Sequence, residues 1–169
     1  MTHSKHQHIQ KKIFRVDDND TLKNKLHYWR FKDYKIAFTN GCFDVLHVGH
    51  ADYLARAADL ADRLIVGLNT DSSVKRIKGA GRPINNEEAR ATLLASMSFV
   101  NAVVLFDEDT PENIIKIIEP DVLVKGNDYR VENIVGSEFV QSKGGRVITL
   151  PLLEGFSSTS LIEKINQMQ

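Results

Sequence analysis

Five short, β-branched apolar runs separated by longer stretches of helical period constrain this chain more than any other feature. The runs are KIAFT at 35–39, RLIVGLN at 63–69, AVVLF at 102–106, DVLVKG at 121–126 and RVITLP at 146–151. Near-continuous apolar runs of this length suit strands buried on both faces, and parallel strands need crossovers long enough to hold a helix. Stretches 49–61, 86–97, 111–119 and 131–143 carry apolar residues at helical spacing, and 158–167 supplies a helix after the last run. TPENIIKII is typical, with Thr110 as cap, Pro111 at the first helical position and Glu112 in the first turn. The alternation predicts an α/β, Rossmann-like, doubly wound parallel sheet of about five strands with helices on both faces. Its ligand is expected at the carboxyl ends of the strands.

With 169 residues and 42% hydrophobic content, the chain fits one domain with a core large enough to fold without cross-links. Residues 1–16 read as a polar N-terminal tail and 17–169 as a single domain, whose first helix, at about 18–32, carries Leu22, Leu26 and Trp29 on one face. The tail histidines His3, His6 and His8 are assigned no metal. Cys42 is the only cysteine, so no internal disulfide forms. No segment approaches the roughly 18 apolar residues of a membrane helix, and the opening dozen residues lack a secretory signal, so the expectation is a cytoplasmic protein with no membrane partner. Twenty-two basic residues balance 22 acidic ones, which argues against a general nucleic-acid binder. The one local basic bias, VKRIKGAGRP, holds Lys75, Arg76, Lys78 and Arg82; by charge alone it is a solvated loop, with 78–84 a candidate flap.

The chemistry concentrates in TNGCFDVLHVGH, directly after the first run. Asn40 and Gly41 permit a sharp turn, and a helix beginning near Val48 points free N–H groups above the sheet, where an anion would sit. His47 and His50, three residues apart, share a helix face, with Gly49 leaving room between them. Metal ligation, core packing and phosphate contact are all open to this pair. A metal site lacks further ligands at suitable spacing, whereas phosphate contact accounts for the glycine turn, the helix start and both imidazoles together. No Walker-type or dinucleotide-type glycine motif is present. Lys125 beside Gly126 at a strand end is hard to explain as decoration; Asn127 and Asp128 shape a turn; and Ser157, Ser158 and Thr159 suit either a helix cap or a phosphate.

GCFDVLHVGH resembles the long signature of the nucleotidyltransferase superfamily that includes the cytidylyltransferases and pantetheine-phosphate adenylyltransferase. The resemblance covers about residues 35–166: KRIKGAGRPINNEEAR is similar to the family's basic loop, PDVLVKGNDY to its fourth-strand motif and EGFSSTSLIEKI to its C-terminal phosphate-binding turn. Within the superfamily the chain looks most like the adenylyltransferase part of the bifunctional heptose kinase/adenylyltransferases. SFVN at 98–101 and LLEGFSST at 152–159 lack the arginines typical of glycerol-phosphate cytidylyltransferases.

The resemblance implies transfer of AMP from ATP to D-glycero-D-manno-heptose 1-phosphate, with Mg2+ accompanying ATP and ADP-heptose serving surface-glycan synthesis. It implies that His47, His50 and Lys125 are catalytic. Thr39, Asn40, Gly41, Cys42, Phe43, Asp44 and Gly49 would line the nucleotide, joined by Lys75, Lys78 and Arg82 from the basic loop. Gly126, Asp128, Ser157, Ser158 and Thr159 complete the implied set, with Cys42 a small packing residue and not a nucleophile. It further implies a homo-oligomer supplied by a separate sugar kinase. A glycerol 3-phosphate cytidylyltransferase and a catalytically silent nucleotide-binding protein are the alternatives.

Overall fold

The computed structural model describes residues 4–17, 19–127 and 133–168 of the chain. Each central strand feeds two cores, because successive side chains alternate across the sheet. In β2 (Ile36–Gly41), Ile36 and Phe38 enter one core and Ala37 the other; in β4 (Ala102–Phe106), Ala102, Val104 and Phe106 part in the same way from Val103 and Leu105. The first core is covered by α2 (Asn19–Phe31) through Leu22, Leu26 and Trp29, by α6 (Glu112–Ile118) and by α7 (Ser137–Ser142). The second is covered by α3 (Val48–Ala58) through Tyr53, Leu54 and Ala57, and by α5 (Glu87–Ser96) through Ala91, Leu94 and Ala95.

With β1 (Ile13–Arg15), β3 (Arg63–Asn69), β5 (Val122–Gly126) and β6 (Arg146–Leu150), the strands form one parallel sheet in the order β1-β4-β3-β2-β5-β6. The sheet has six strands where about five are expected. The sixth is β1, which lies in the segment read as a polar tail and adds to the β4 edge in the register Ile13↔Val103 to Arg15↔Leu105. Its three residues are too few for a period-2 signal, and only Phe14 is buried among them. The same segment also carries α1 (Lys5–Gln10); His3 lies outside the described residues.

From β2 the chain winds outward through β3 to β4, then returns to place β5 on the other side of β2. The crevice between β2 and β5 is therefore the switch point of the sheet, where an open α/β fold binds ligand. The basic run also differs from its expected form: Lys75, Arg76 and Lys78 lie on α4 (Asp71–Lys78), capped by Thr70 and closed by Gly79 at φ 97°. Of the helix expected at 131–143, the described part is α7 alone, while residues 131 and 132 lie outside the described chain. α6 starts one residue later than expected, with Pro111 as its cap position, and α8 (Ser158–Asn166) closes the chain. Among the described residues no helix is long and apolar enough to cross a membrane.

Candidate active site

A cavity of about 690 Å3 opens at the switch point, floored by Asn40, Gly41, Lys125 and Gly126 at the ends of β2 and β5. The turn into α3 is made differently from expectation. Asn40 and Gly41 are still in β2, and the reversal comes at Phe43, which adopts φ 44°. Gly41 is bare because the Phe43 ring folds back over it; a Cβ there would meet that ring at 3.1 Å.

His47 occupies the cap position of α3 in extended conformation and its side chain makes no capping hydrogen bond; His50 N donates to His47 O at 3.0 Å, while the Val48 and Gly49 N–H groups stand at the positive end of the helix. His50 follows on the same face, and the two rings stack with centroids 3.8 Å apart, His50 also meeting the edge of Phe43. Gly49 leaves close room between them: a Cβ would stand 3.0 Å from His47 Nδ1 and 3.3 Å from Phe156 Cβ. Both Nδ1 atoms are buried with no hydrogen-bond partner among the described residues, and both histidines line the cavity. Burial pushes the His50 pKa down from 6.5 to about 4, helped by His47 and Lys78, and burial lowers His47 as well. Both imidazoles are therefore neutral hydrogen-bonding groups at neutral pH.

A second helix start faces the same space. Ser157 caps α8 by accepting from Ser160 N at 3.0 Å, and Ser158 Oγ donates to Val45 O at 3.1 Å, tying α8 to the entry of α3. Ser157, Ser158 and Thr159 line the cavity, as does Lys78 from the last turn of α4. Capping and ligand approach thus coincide at Ser157.

Three expected residues stand elsewhere, and a fourth is not among the described ones. Thr39 is buried in the core, where its hydroxyl shares a 2.8 Å hydrogen bond with Tyr53 and anchors α3 to β2. Lys75 is exposed on α4 and does not line the cavity. Arg82 forms an ion pair with Asp44 at 3.0 Å instead of reaching the cavity. Asp128 lies outside the described residues. Cys42 borders the cavity half-buried, and burial raises its thiol pKa, which keeps it protonated and poorly nucleophilic.

Asp44 is a clamp. Its carboxylate accepts from Ile84 N at 2.7 Å and Asn85 N at 3.1 Å, while Asn85 Nδ2 donates to its carbonyl at 2.9 Å. With the Arg82 pair, these contacts fasten the 82–85 segment to the α3 entry, so the stretch expected to act as a flap is pinned at its far end. Arg90 completes the frame. Fully buried on α5, it donates to Cys42 O at 2.6 Å, Asn69 O at 2.9 Å and Asn85 O at 3.0 Å, and pairs with Asp71 at 2.7 Å. Sequence reasoning missed Arg90. Its one local signal was an arginine in the apolar stripe it shares with Ala91, Leu94 and Ala95. Opposite, the α4 groups Arg76, Ser72 and the capping Thr70 bind Asp107, and Arg76 also binds Asp109 at 2.7 Å, which joins the Lys78 helix to the 109–111 wall of the cavity. These hydrogen bonds hold the Asp107 carboxyl below its ordinary pKa.

The family model described as Cytidylyltransferase-like matches residues 38–164. The chain is 52% identical over 149 residues to the bifunctional protein HldE of Nitrobacter hamburgensis, covering 88% of this chain and 30% of that protein. It is 51% identical over 152 residues to the HldE of Caulobacter vibrioides, covering 90% of this chain and 32% of that one. It thus spans about a third of the length of these curated relatives. Among solved structures, the lipopolysaccharide core biosynthesis protein of Thermoplasma volcanium superposes with a TM-score of 0.57 at 25% identity, over 71% of this chain and 97% of that one. A pantoate-beta-alanine ligase from Francisella tularensis shares the fold at 17% identity with the same TM-score, over 92% of this chain and 77% of that one.

Proposed function

Because the chain belongs to the cytidylyltransferase-like family, we propose that it moves AMP from ATP to a sugar 1-phosphate. The acceptor on this reading is D-glycero-D-manno-heptose 1-phosphate, and the products are ADP-heptose and pyrophosphate. The observation that carries the proposal is the pair of stacked, neutral imidazoles at an uncapped helix start, facing a second helix start with three hydroxyl residues. That arrangement suits a chain of phosphates whose charge rises in a transition state. The likeness to HldE proteins supports the choice of acceptor.

An oxygen of the acceptor phosphate attacks the α-phosphorus of ATP in line; the new P–O bond forms as the bond to pyrophosphate breaks, and pyrophosphate carries away the electron pair. No protein nucleophile is needed, which agrees with a protonated Cys42. His47 and His50 donate through Nε2 to the α-phosphoryl oxygens and the leaving group. The N–H groups of α3 and α8, with Ser157, Ser158 and Thr159, hold the outer phosphates, and Lys78 approaches them from α4. Lys125 meets the acceptor phosphate. Mg2+ bound to the triphosphate would supply charge neutralisation on the phosphate oxygens. The nearby carboxylates Asp44 and Asp109 are both engaged with arginines, so the donor set fits an ion that keeps phosphate and water ligands. Dependence on ATP and an activated sugar fits a cytoplasmic enzyme.

The test is pyrophosphate release with Mg2+, comparing ATP plus heptose 1-phosphate with CTP plus glycerol 3-phosphate. Release from the first pair alone is expected. Release from the second pair alone overturns the choice of substrates while keeping the phosphate chemistry, and release from neither overturns the transfer reaction.

A further inference from the structure

We propose that Asn40 is a positioning residue that fixes the Lys125 ammonium as the anchor of the acceptor phosphate; this rests on the adenylyltransferase reading above. The two residues meet across the switch point. The parallel register of β2 and β5 pairs Phe38 with Leu123, and two residues further along each strand come Asn40 and Lys125. There Lys125 Nζ donates to Asn40 Oδ1. On its other side Asn40 is in register with Gly67 of β3, where a Cβ would come 3.0 Å from Asn40 Cβ and 2.8 Å from the Phe38 ring. The missing side chain at Gly67 therefore gives the Asn40 side chain its place, and the strand pairing aims it at Lys125.

Three physical points join this contact to the chemistry. A lysine amine on a four-carbon stem samples many rotamers unless it is held, and a held cation binds phosphate with less entropy to lose. An amide oxygen accepts from the ammonium without adding a counter-charge, which a carboxylate in the same place would add. The pair also stands on the correct side. Asn40 and Lys125 continue the sheet face of Phe38 and Leu123, whereas α3 packs Tyr53, Leu54 and Ala57 on the opposite face. The imidazoles and the ammonium thus approach the cavity from two sides of the strand rim, as in-line attack opposite a departing pyrophosphate requires. Among the described residues lining the cavity, the lysines are Lys78 and Lys125. Lys78 belongs to the exposed end of α4, which leaves Lys125 as the cation built into the floor.

The experiment is a steady-state pyrophosphate assay that measures KM for heptose 1-phosphate and for ATP separately in the unmodified chain, Asn40→Ala, Asn40→Asp, Lys125→Ala and the Asn40→Ala/Lys125→Ala double variant. Asn40→Ala is expected to raise the acceptor KM about tenfold and to leave the ATP KM within about twofold, the size of one charge-assisted hydrogen bond. Asn40→Asp keeps size and shape, so a purely structural asparagine would tolerate it; here it too raises the acceptor KM, because it cancels the charge on Lys125. In the Lys125→Ala background the Asn40→Ala change is expected to cost less than about twofold more. Equal rises in both KM values, a near-normal Asn40→Asp enzyme, or a full tenfold loss without Lys125 would each overturn the assignment. Absence of pyrophosphate from the unmodified chain with this pair of substrates would instead overturn the parent reading, and the acceptor role with it.

Discussion

Replacing His50 with asparagine should remove a specific part of the chain's acid sensitivity. Burial, then the neighbouring His47 ring, then Lys78 push the His50 pKa down from 6.5 to about 4. The sign follows from linkage: the unfolded chain takes up this proton near pH 6.5, whereas the folded chain resists it until about pH 4. The neutral imidazole therefore costs nothing above pH 6.5, and stability falls as the pH drops from there toward 4. At about pH 5 the unfolded histidine is almost wholly protonated and the folded one about a tenth so, which sets a ceiling of ~2 kcal/mol. The ring borders an open cavity, and solvent screening brings the expected loss to about 1 kcal/mol. Urea unfolding of the ligand-free chain at several pH values between 7 and 4.5 measures it, and the unmodified chain should lose about 1 kcal/mol more than His50→Asn over that range. His47, also lowered by burial, adds to the slope in both proteins and cancels in the comparison. Parallel pH profiles for the two proteins would refute the argument that His50 is held neutral.

His47→Ala and His50→Ala should each cut turnover about 100-fold or more, the size of a lost transition-state donor, with unchanged thermal unfolding of the fold in differential scanning fluorimetry. Arg90→Ala should destabilise by about 3 kcal/mol in urea unfolding, because it strips donors from three backbone carbonyls and leaves Asp71 without its partner. Gly67→Ala should cost about 1–3 kcal/mol by the same measurement, since the new methyl must displace the Phe38 ring from 2.8 Å.

Local pattern carried the layers of this fold because its information is local. Apolar runs at 63–69 and 102–106 coincide with β3 and β4, and the helix expected near Val48 begins there. His47, His50 and the 157–159 hydroxyls, which line the cavity, were legible as candidates because each sits beside a helix start that its own neighbours specify. β1 escaped notice because three residues in a polar setting show no period, and α4 because its charged residues outweigh its two buried positions, Ser73 and Val74.

What only the tertiary structure decided is which distant groups meet. Asn40 looked like a turn former, yet strand order and register set it against a lysine 85 residues away. Asp44 read as a structural or nucleotide-positioning residue on the turn, and the return of the chain 40 residues later makes its carboxylate the clamp of the 82–85 segment at the cavity wall. Arg90 drew no notice in the sequence, and only its burial turns it toward three carbonyls and Asp71. Periodicity and caps act over a few residues, so the sequence alone determined most of the elements and set the histidines and hydroxyls at helix starts. Pairings between remote residues depend on how the elements dock, and those came from the parallel register and from the burial of each group among partners that docking supplied.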